Sequence, residues 1–290
     1  MAPIVESKKL TKQYEDFTLR DITLDIPEGG ITGIFGPSGA GKTTLIKLLA
    51  HQMAPSAGSL RLFGLSYDDS EKEIKNRIGY VAQEPAYYWN RSVRWTARFV
   101  SRFYERWDGA RFYKLLEEFR ISRRKRMRHL SRGQKTLVSL AIALSHEADL
   151  FLLDEPTAGL DMVLRRNILR RLRDLVADEG KTIVISSHIT DGLDDVAESI
   201  HFLDAGDLVL QSNTEELLAS WKWIHFKNGS LAPGLLDRLV EVEKQPFSSR
   251  GLTRDFPAIR EELSEGIATG DVKVANAKLD DILIALLQGE

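Results

Sequence analysis

Nine consecutive residues, Gly36-Pro37-Ser38-Gly39-Ala40-Gly41-Lys42-Thr43-Thr44, have the types and spacing of a polyphosphate cradle, G-x-x-x-x-G-K-[ST]. Glycines let the backbone wrap an anion closely, with successive N–H groups turned inward. Lys42 can reach the β- and γ-phosphate oxygens, and the Thr43 hydroxyl can ligate Mg²⁺. A second cluster follows far along the chain. In Asp149-Leu150-Phe151-Leu152-Leu153-Asp154-Glu155-Pro156 an apolar run ends in two adjacent carboxylates. Burying charges there costs free energy unless a metal or partner compensates. Asp154 suits Mg²⁺, through its water shell, and Glu155 can polarise an attacking water.

These groups need elements to hold them. Gly30 to Phe35 reads as a short buried strand entering the cradle, and a helix starting near Lys42 would set its positive dipole end against the same anion. Leu45, Leu48 and Leu49 fall at helical spacing. Leu150 to Leu153 has the continuous apolar character of a strand buried on both faces. Ile78 to Gln83 and Lys181 to His188 read likewise, the first ending at the polar Gln83 before Pro85 and the second at His188. Ligands of an α/β sheet lie off the carboxyl ends of its parallel strands, so Gln83, Asp154 and His188 share one candidate edge. Ile4–Thr11 and Phe17–Ile26 look like strands that precede the cradle, with Tyr14 in the loop between them. A loop aromatic so placed can stack on a nucleotide base. Ser199–Leu203 and Leu208–Gln211 form an expected hairpin.

Ser131 and Gln134 have capping-box spacing in Leu130-Ser131-Arg132-Gly133-Gln134, so Ser131 should open a helix whose free N–H groups face an anion. Asp161 is expected to cap a helix that Gly180 stops. From Arg91 to Arg128 there are 13 Lys/Arg against 4 Asp/Glu. Within this stretch Arg94-Trp95, Arg98-Phe99, Arg102-Phe103 and Arg106-Trp107 recur every four residues. The pattern predicts a helix with an arginine stripe beside a buried aromatic face. Binding of nucleic acid or anionic headgroups is the alternative use.

The chain has 290 residues, 43% hydrophobic and 28% charged, as in an ordinary globular protein. A net charge of −2 supplies no global field for nucleic acid, and zero cysteines exclude disulfides, thiolate zinc and Fe–S clusters. The first residues lack the pattern of a signal peptide. The longest apolar run, Leu137 to Leu144, falls short of the ~20 residues of a spanning helix. Action at a membrane is therefore expected from the surface, through another polypeptide.

The ordered set of Tyr14, the phosphate loop, Gln83, Leu130–Gln134, Asp154-Glu155, Ala158-Gly159-Leu160-Asp161 and His188 resembles the nucleotide-binding subunit of ABC transporters, over about residues 3 to 220. The resemblance implies an α/β fold: a P-loop NTPase core with a mostly parallel sheet, an N-terminal antiparallel β subdomain and an inserted α-helical subdomain at about 86–145. Residues 1–220 would be the ATPase domain, and 221–290 a small C-terminal α+β extension similar to that of exporter-type members. The implied chemistry is Mg²⁺-dependent ATP hydrolysis, with ATP bound by residues 36–44 and Tyr14 on the adenine. Thr43, Gln83 and Asp154 would serve the metal, Glu155 would be general base, and His188 would hold the γ-phosphate. Two such subunits would pack head to tail, so that Ser131, Gly133 and Gln134 meet the opposite subunit's ATP and Asp161 lines the interface.

The same resemblance implies an integral-membrane permease partner and a cytoplasmic place on the inner face of the cell membrane. A permease helix would enter the groove near Pro85–Asn90, and no nucleic acid is expected. A soluble relative acting on nucleic acid or ribosomes is the alternative, supported by the basic stretch alone. Arg132 stands where the family usually has glycine, which is tolerable if the backbone there has negative φ. Beyond Trp221, strands are expected at Trp221–Lys227, Arg238–Glu243 and Asp271–Val274, with a terminal helix over Leu279–Leu287.

Overall fold

The computed structural model describes residues 3–188, 192–193, 196–231 and 233–288, which form two compact units. The first comprises described residues 3–188 and 196–210; the second comprises 192–193, 211–231 and 233–288.

The first unit begins with β1 (Val5–Gln13), β2 (Thr18–Ile26), β3 (Gly30–Phe35), α1 (Lys42–Leu49), β4 (Ala57–Leu62), β5 (Leu65–Ser66), α2 (Tyr67–Asn76) and β6 (Ile78–Val81). Next come α3 (Val93–Val100), α4 (Gly109–Glu118), α5 (Arg132–Ala143), β7 (Leu150–Asp154), α6 (Met162–Glu179), β8 (Thr182–Ser187), β9 (Ser199–Asp204) and β10 (Asp207–Asn213). An antiparallel sheet is ordered β2-β1-β4-β5, and the central sheet β10-β9-β3-β8-β7-β6. In the central sheet β9, β3, β8, β7 and β6 run parallel, with Phe35 opposite Ser187, Asp154 opposite Ser186, and Val81 opposite Leu153. The α/β class and the N-terminal antiparallel sheet are as expected.

The alternation in β2 explains its placement: Ile22, Leu24 and Ile26 are buried between exposed partners. They share a core with Leu45, Leu48 and Leu49 of α1 and with Leu150, Leu152 and Val184 of the central sheet. Each such side chain contributes about 1.5–3 kcal/mol on full burial. α1 lies against β7 and β8, and α6 against β3 and β8, so the cradle is fixed to the middle of the sheet.

The row from Arg94 to Trp107 departs from expectation in two ways. The helix stops at Val100, continues as a short 3₁₀ turn over Ser101–Phe103, and ends at Tyr104, whose ring stacks on His146 at 3.8 Å. Trp107 leaves the row to pair with His146 in a backbone bridge and to pack 5.8 Å from Phe112. The buried face of α3 is Val93, Thr96 and Ala97, not the aromatics, and Phe103 is 66% exposed. Tertiary contacts at His146 and Asn76, whose side chain accepts from the Glu105 N–H, overrule the local helical pattern.

His201 lies on β9, is fully buried, and has no hydrogen-bond partner at Nδ1. Burial pushes its pKa down to about 4. Between that value and the ordinary value near 6.5 the unfolded chain binds a proton that the fold refuses. Stability is therefore complete above the ordinary value and is lost as pH falls toward the depressed one. The expected loss from pH 7 to pH 5 is about 2 kcal/mol. Thermal melts of His201→Leu should show that acid limb flattened relative to the parent; an unchanged limb would contradict the assignment.

The second unit has α7 (Thr214–Ser220), β11 (Lys222–Lys227), α8 (Pro233–Leu236), β12 (Glu241–Lys244), β13 (Ser248–Thr253), α9 (Phe256–Ile259), α10 (Ser264–Thr269), β14 (Val272–Asn276) and α11 (Leu279–Gln288). Its sheet is ordered β12-β13-β11-β14, with all neighbours antiparallel. With α8 after the first strand and α9–α10 after the third, this is the split β-α-β of ferredoxin-like folds. Ile224, Phe226, Leu231, Leu235, Ile259, Leu263 and Val272 form its core. The strand over Ser248–Thr253 was not expected from sequence, and it completes the sheet. No helix among the described residues is long and apolar enough to cross a membrane.

Candidate functional site

Strand β3 delivers the cradle, and every residue in it is buried. The loop depends on glycine at both ends. A Cβ on Gly36 would lie 2.1 Å from the Leu203 carbonyl oxygen, and Gly41, the residue before α1, has φ +108°. Lys42 is 7% exposed, and its Nζ donates to the carbonyl oxygens of Gly36 at 2.7 Å and Pro37 at 2.9 Å. Burial lowers the pKa of this ammonium below the ordinary lysine value, and the charges of Glu155 and Asp154 partly oppose that shift.

Asp154 ends β7 completely buried. Its Oδ1 accepts from the Ser186 hydroxyl at 2.6 Å and the Thr43 hydroxyl at 3.2 Å, while Oδ2 is buried with no hydrogen-bond partner. An orphaned carboxylate oxygen costs about 1–3 kcal/mol or more, and a hard cation beside the Thr43 hydroxyl would relieve it. The donor set therefore fits Mg²⁺. Gln83 follows β6 by two residues and lies on the same carboxyl edge, half-buried, with no side-chain hydrogen bond among the described residues.

Glu155 occupies the left-handed region at φ +51°. This is a costly conformation for a residue with a side chain, about 1–2 kcal/mol, and such strain gathers at functional sites. Its N–H donates to the Ser186 hydroxyl at 3.0 Å, and both carboxylate oxygens lie 2.8 Å from Nδ1 of His188. The turn thus separates the two carboxylates: Asp154 stays on Thr43 and Ser186, and Glu155 faces His188. Glu155 is 7% exposed, while the His188 side chain on the other side of the contact is exposed.

Tyr14 is 41% exposed, donates its hydroxyl to the Met53 sulfur at 3.1 Å, and lies 6.3 Å from the Phe17 ring. Phe17 in turn reaches the cradle, since a Cβ on Gly41 would come within 3.0 Å of its ring. Phe17 and Ser186 were not singled out from sequence. Ser186 carries a readable signal, a hydroxyl in an otherwise apolar strand in register with Asp154.

The Ser131 region forms the expected capping box: its hydroxyl accepts from the Gln134 N–H at 3.2 Å, and the Gln134 side chain accepts from the Ser131 N–H at 3.3 Å. Arg132 is the first residue of α5 and is not among the positive-φ residues, so a side chain is accommodated there. A Cβ on Gly133 would meet the Leu160 side chain at 2.9 Å, so this helix start packs beside the loop leading to Asp161. Asp161 caps α6 by accepting from the Leu164 N–H at 3.0 Å, and Gly180 ends that helix at φ +63°. No hydrogen bond among the described residues joins Ser131, Gly133 or Gln134 to the cradle of their own chain.

Comparison with known proteins places this arrangement. A family model described as ABC transporter matches residues 19–158. The bacitracin transport ATP-binding protein BcrA of Enterococcus faecalis is 32% identical over 220 residues, covering 75% of this chain and 71% of that protein. A BcrA from Bacillus licheniformis is 25% identical over 302 aligned positions, covering 100% of this chain and 99% of the relative. Among solved structures, one titled as an ATP binding subunit of an ABC transporter superposes with a TM-score of 0.67 at 26% identity, over 74% of this chain and 92% of that one.

Proposed function

The chain belongs to the ABC transporter ATP-binding family, and from that premise we propose that it binds and hydrolyses ATP with Mg²⁺ to drive transport through a separate membrane permease. The observation that carries the reading is the cluster at the carboxyl edge of the central sheet. Lys42 and Thr43 of the cradle, Asp154 with its orphaned oxygen, and the Glu155–His188 pair all lie there.

Residues 36–44 take the triphosphate, with their N–H groups and Lys42 neutralising its charge. Tyr14 stacks on the adenine. Thr43, Asp154 and Gln83 would hold the cation, which would supply charge neutralisation for the phosphates. Glu155 aligns the attacking water and takes its proton, and His188 orients Glu155 and the γ-phosphate. Ser131, Gly133 and Gln134 form a capped helix start that makes no hydrogen bond to the cradle of its own chain among the described residues. They serve the ATP of a second subunit, with Asp161 at the same interface, in a homodimer or heterodimer. The permease is assigned to the groove near Pro85–Asn90, and the chain accordingly to the inner face of the membrane. Residues 1–220 carry the ATPase, and 221–290 are an accessory region.

The relatives named for bacitracin transport favour a transporter subunit over the nucleic-acid alternative. The purified chain should release phosphate from ATP with Mg²⁺ and lose this activity in EDTA, with recovery on adding the metal back. Phosphate release unchanged by chelation would overturn the cation's assignment to Thr43, Gln83 and Asp154.

A further inference from the structure

In the basic run Arg123-Arg124-Lys125-Arg126 the three arginines are exposed, whereas Lys125 is half-buried. Its backbone is fixed on both sides. The Lys125 carbonyl accepts from the Val93 N–H at 3.0 Å, and its own N–H donates to the Ser122 carbonyl at 3.0 Å. The neighbouring bonds, Arg94 N–H to the Arg123 carbonyl and Met127 N–H to the Arg91 carbonyl, both at 2.9 Å, lay the run against the start of α3. The ammonium pairs with none of the described carboxylates. It donates instead to Oε1 of Gln134, at 3.2 Å.

That contact decides which end of the Gln134 amide is spent. The same Oε1 accepts from the Ser131 N–H at 3.3 Å, so the carbonyl end carries two bonds. The Nε2 end, with two N–H donors, has no hydrogen-bond partner among the described residues. A flipped amide would put a carbonyl oxygen where those donors stand, and phosphate oxygens, which only accept, would be repelled. The Ser131 N–H is a long and neutral restraint on the flip; the ammonium is the stronger one. Helix stability does not account for the ammonium's place. The first turn of α5 has no Asp or Glu and already carries Arg132 and Lys135. A further cation at the positive end of the helix dipole is unfavourable for the helix itself.

We propose that Lys125 is a positioning residue for the nucleotide of the second subunit: it holds the Gln134 carbonyl inward, so that the amide donors face that nucleotide. The inference rests on the reading that Ser131, Gly133 and Gln134 serve the ATP of a second subunit, and it adds the side chain that sets the polarity of their contact. Lys125 itself touches no substrate and acts through Gln134. A lysine that merely ties α3 to α5 has the opposite signature, because its loss would lower stability and every activity together. Loss of a positioning ammonium at a helix start relieves charge repulsion while weakening only the contact between subunits.

The test compares Lys125→Met, Lys125→Arg, Gln134→Ala and the Lys125→Met/Gln134→Ala double variant in the full-length chain. Sedimentation against Mg-ATP concentration reads subunit pairing, ADP binding to the dilute chain reads the cradle alone, and steady-state turnover and thermal melts complete the set. Lys125→Met should raise the ATP concentration for half-maximal pairing and turnover about tenfold, the loss of one hydrogen bond to a charged group. Turnover at saturating ATP and ADP binding should stay close to the parent values, and the melting temperature should be no lower. Lys125→Arg, which keeps a charged donor, should restore pairing. In the Gln134→Ala background Lys125→Met should cost nothing further. Parent-like pairing of Lys125→Met, failure of Lys125→Arg to restore it, additive losses in the double variant, or a fall in melting temperature with loss of ADP binding each overturn the inference. A parent chain that never pairs with ATP instead sinks the reading on which it rests.

Discussion

Glu155→Gln is expected to keep nucleotide binding and to lower ATP turnover about a thousandfold, within the range typical of a lost general base. The substitution is close to isosteric. The amide can still meet Nδ1 of His188, the N–H to the Ser186 hydroxyl is unaffected, and a Gln side chain fits the left-handed turn as well as Glu does. What disappears is the negative charge that takes a proton from water. Asp154 cannot substitute, because Thr43 and Ser186 hold it on the other side of the turn. Phosphate release and equilibrium nucleotide binding, measured on the same preparation, separate the two effects. Turnover close to the parent value would remove Glu155 from the role of base.

Lys42→Ala is expected to weaken ATP binding about 10–100-fold, the loss of one or two charge-assisted hydrogen bonds, and to abolish nucleotide-dependent pairing of subunits. The ammonium donates to the carbonyls of Gly36 and Pro37, so it lies inside the cradle, where phosphate oxygens would replace those acceptors. Its burial without a carboxylate in hydrogen-bond contact is unfavourable, and burial lowers its pKa for the same reason. The variant should therefore remain folded, with a melting temperature no lower than the parent's. Sedimentation with and without ATP reads the pairing; ATP-driven dimers that persist in the variant would contradict the role given to Lys42.

What could be read from sequence was local chemistry. The cradle, the buried run into Asp154-Glu155, and the capping box at Ser131 each declare themselves within a few residues, because the physical demand is met by near neighbours. The carboxyl-edge placement of Gln83 and His188 was also legible, since parallel strands put their ends on one side. Long-range demands were not. The helix after Arg94 has a strong four-residue period, yet it ends at Tyr104 because His146, distant in sequence, takes the Tyr104 ring. The strand Ser248–Thr253 hides behind two serines and Gly251. A Cβ on that glycine would lie 2.4 Å from the tip of the Leu239 side chain, which would have to move to admit one. Phe17 entered only as the first residue of an expected strand, and the fold shows that it lies between Tyr14 and the cradle.

The account's central claim is that the cradle of one subunit is finished by the Ser131 helix start of another. The chain has no cysteine, so an introduced pair reports without background. Ser38 and Arg132 are both exposed and flank the two half-sites. In the Glu155→Gln chain carrying Ser38→Cys and Arg132→Cys, mild oxidation should yield a disulfide-linked dimer with Mg-ATP and little with ADP or no nucleotide. Equal cross-linking in all three conditions, or none with ATP, would contradict the claim.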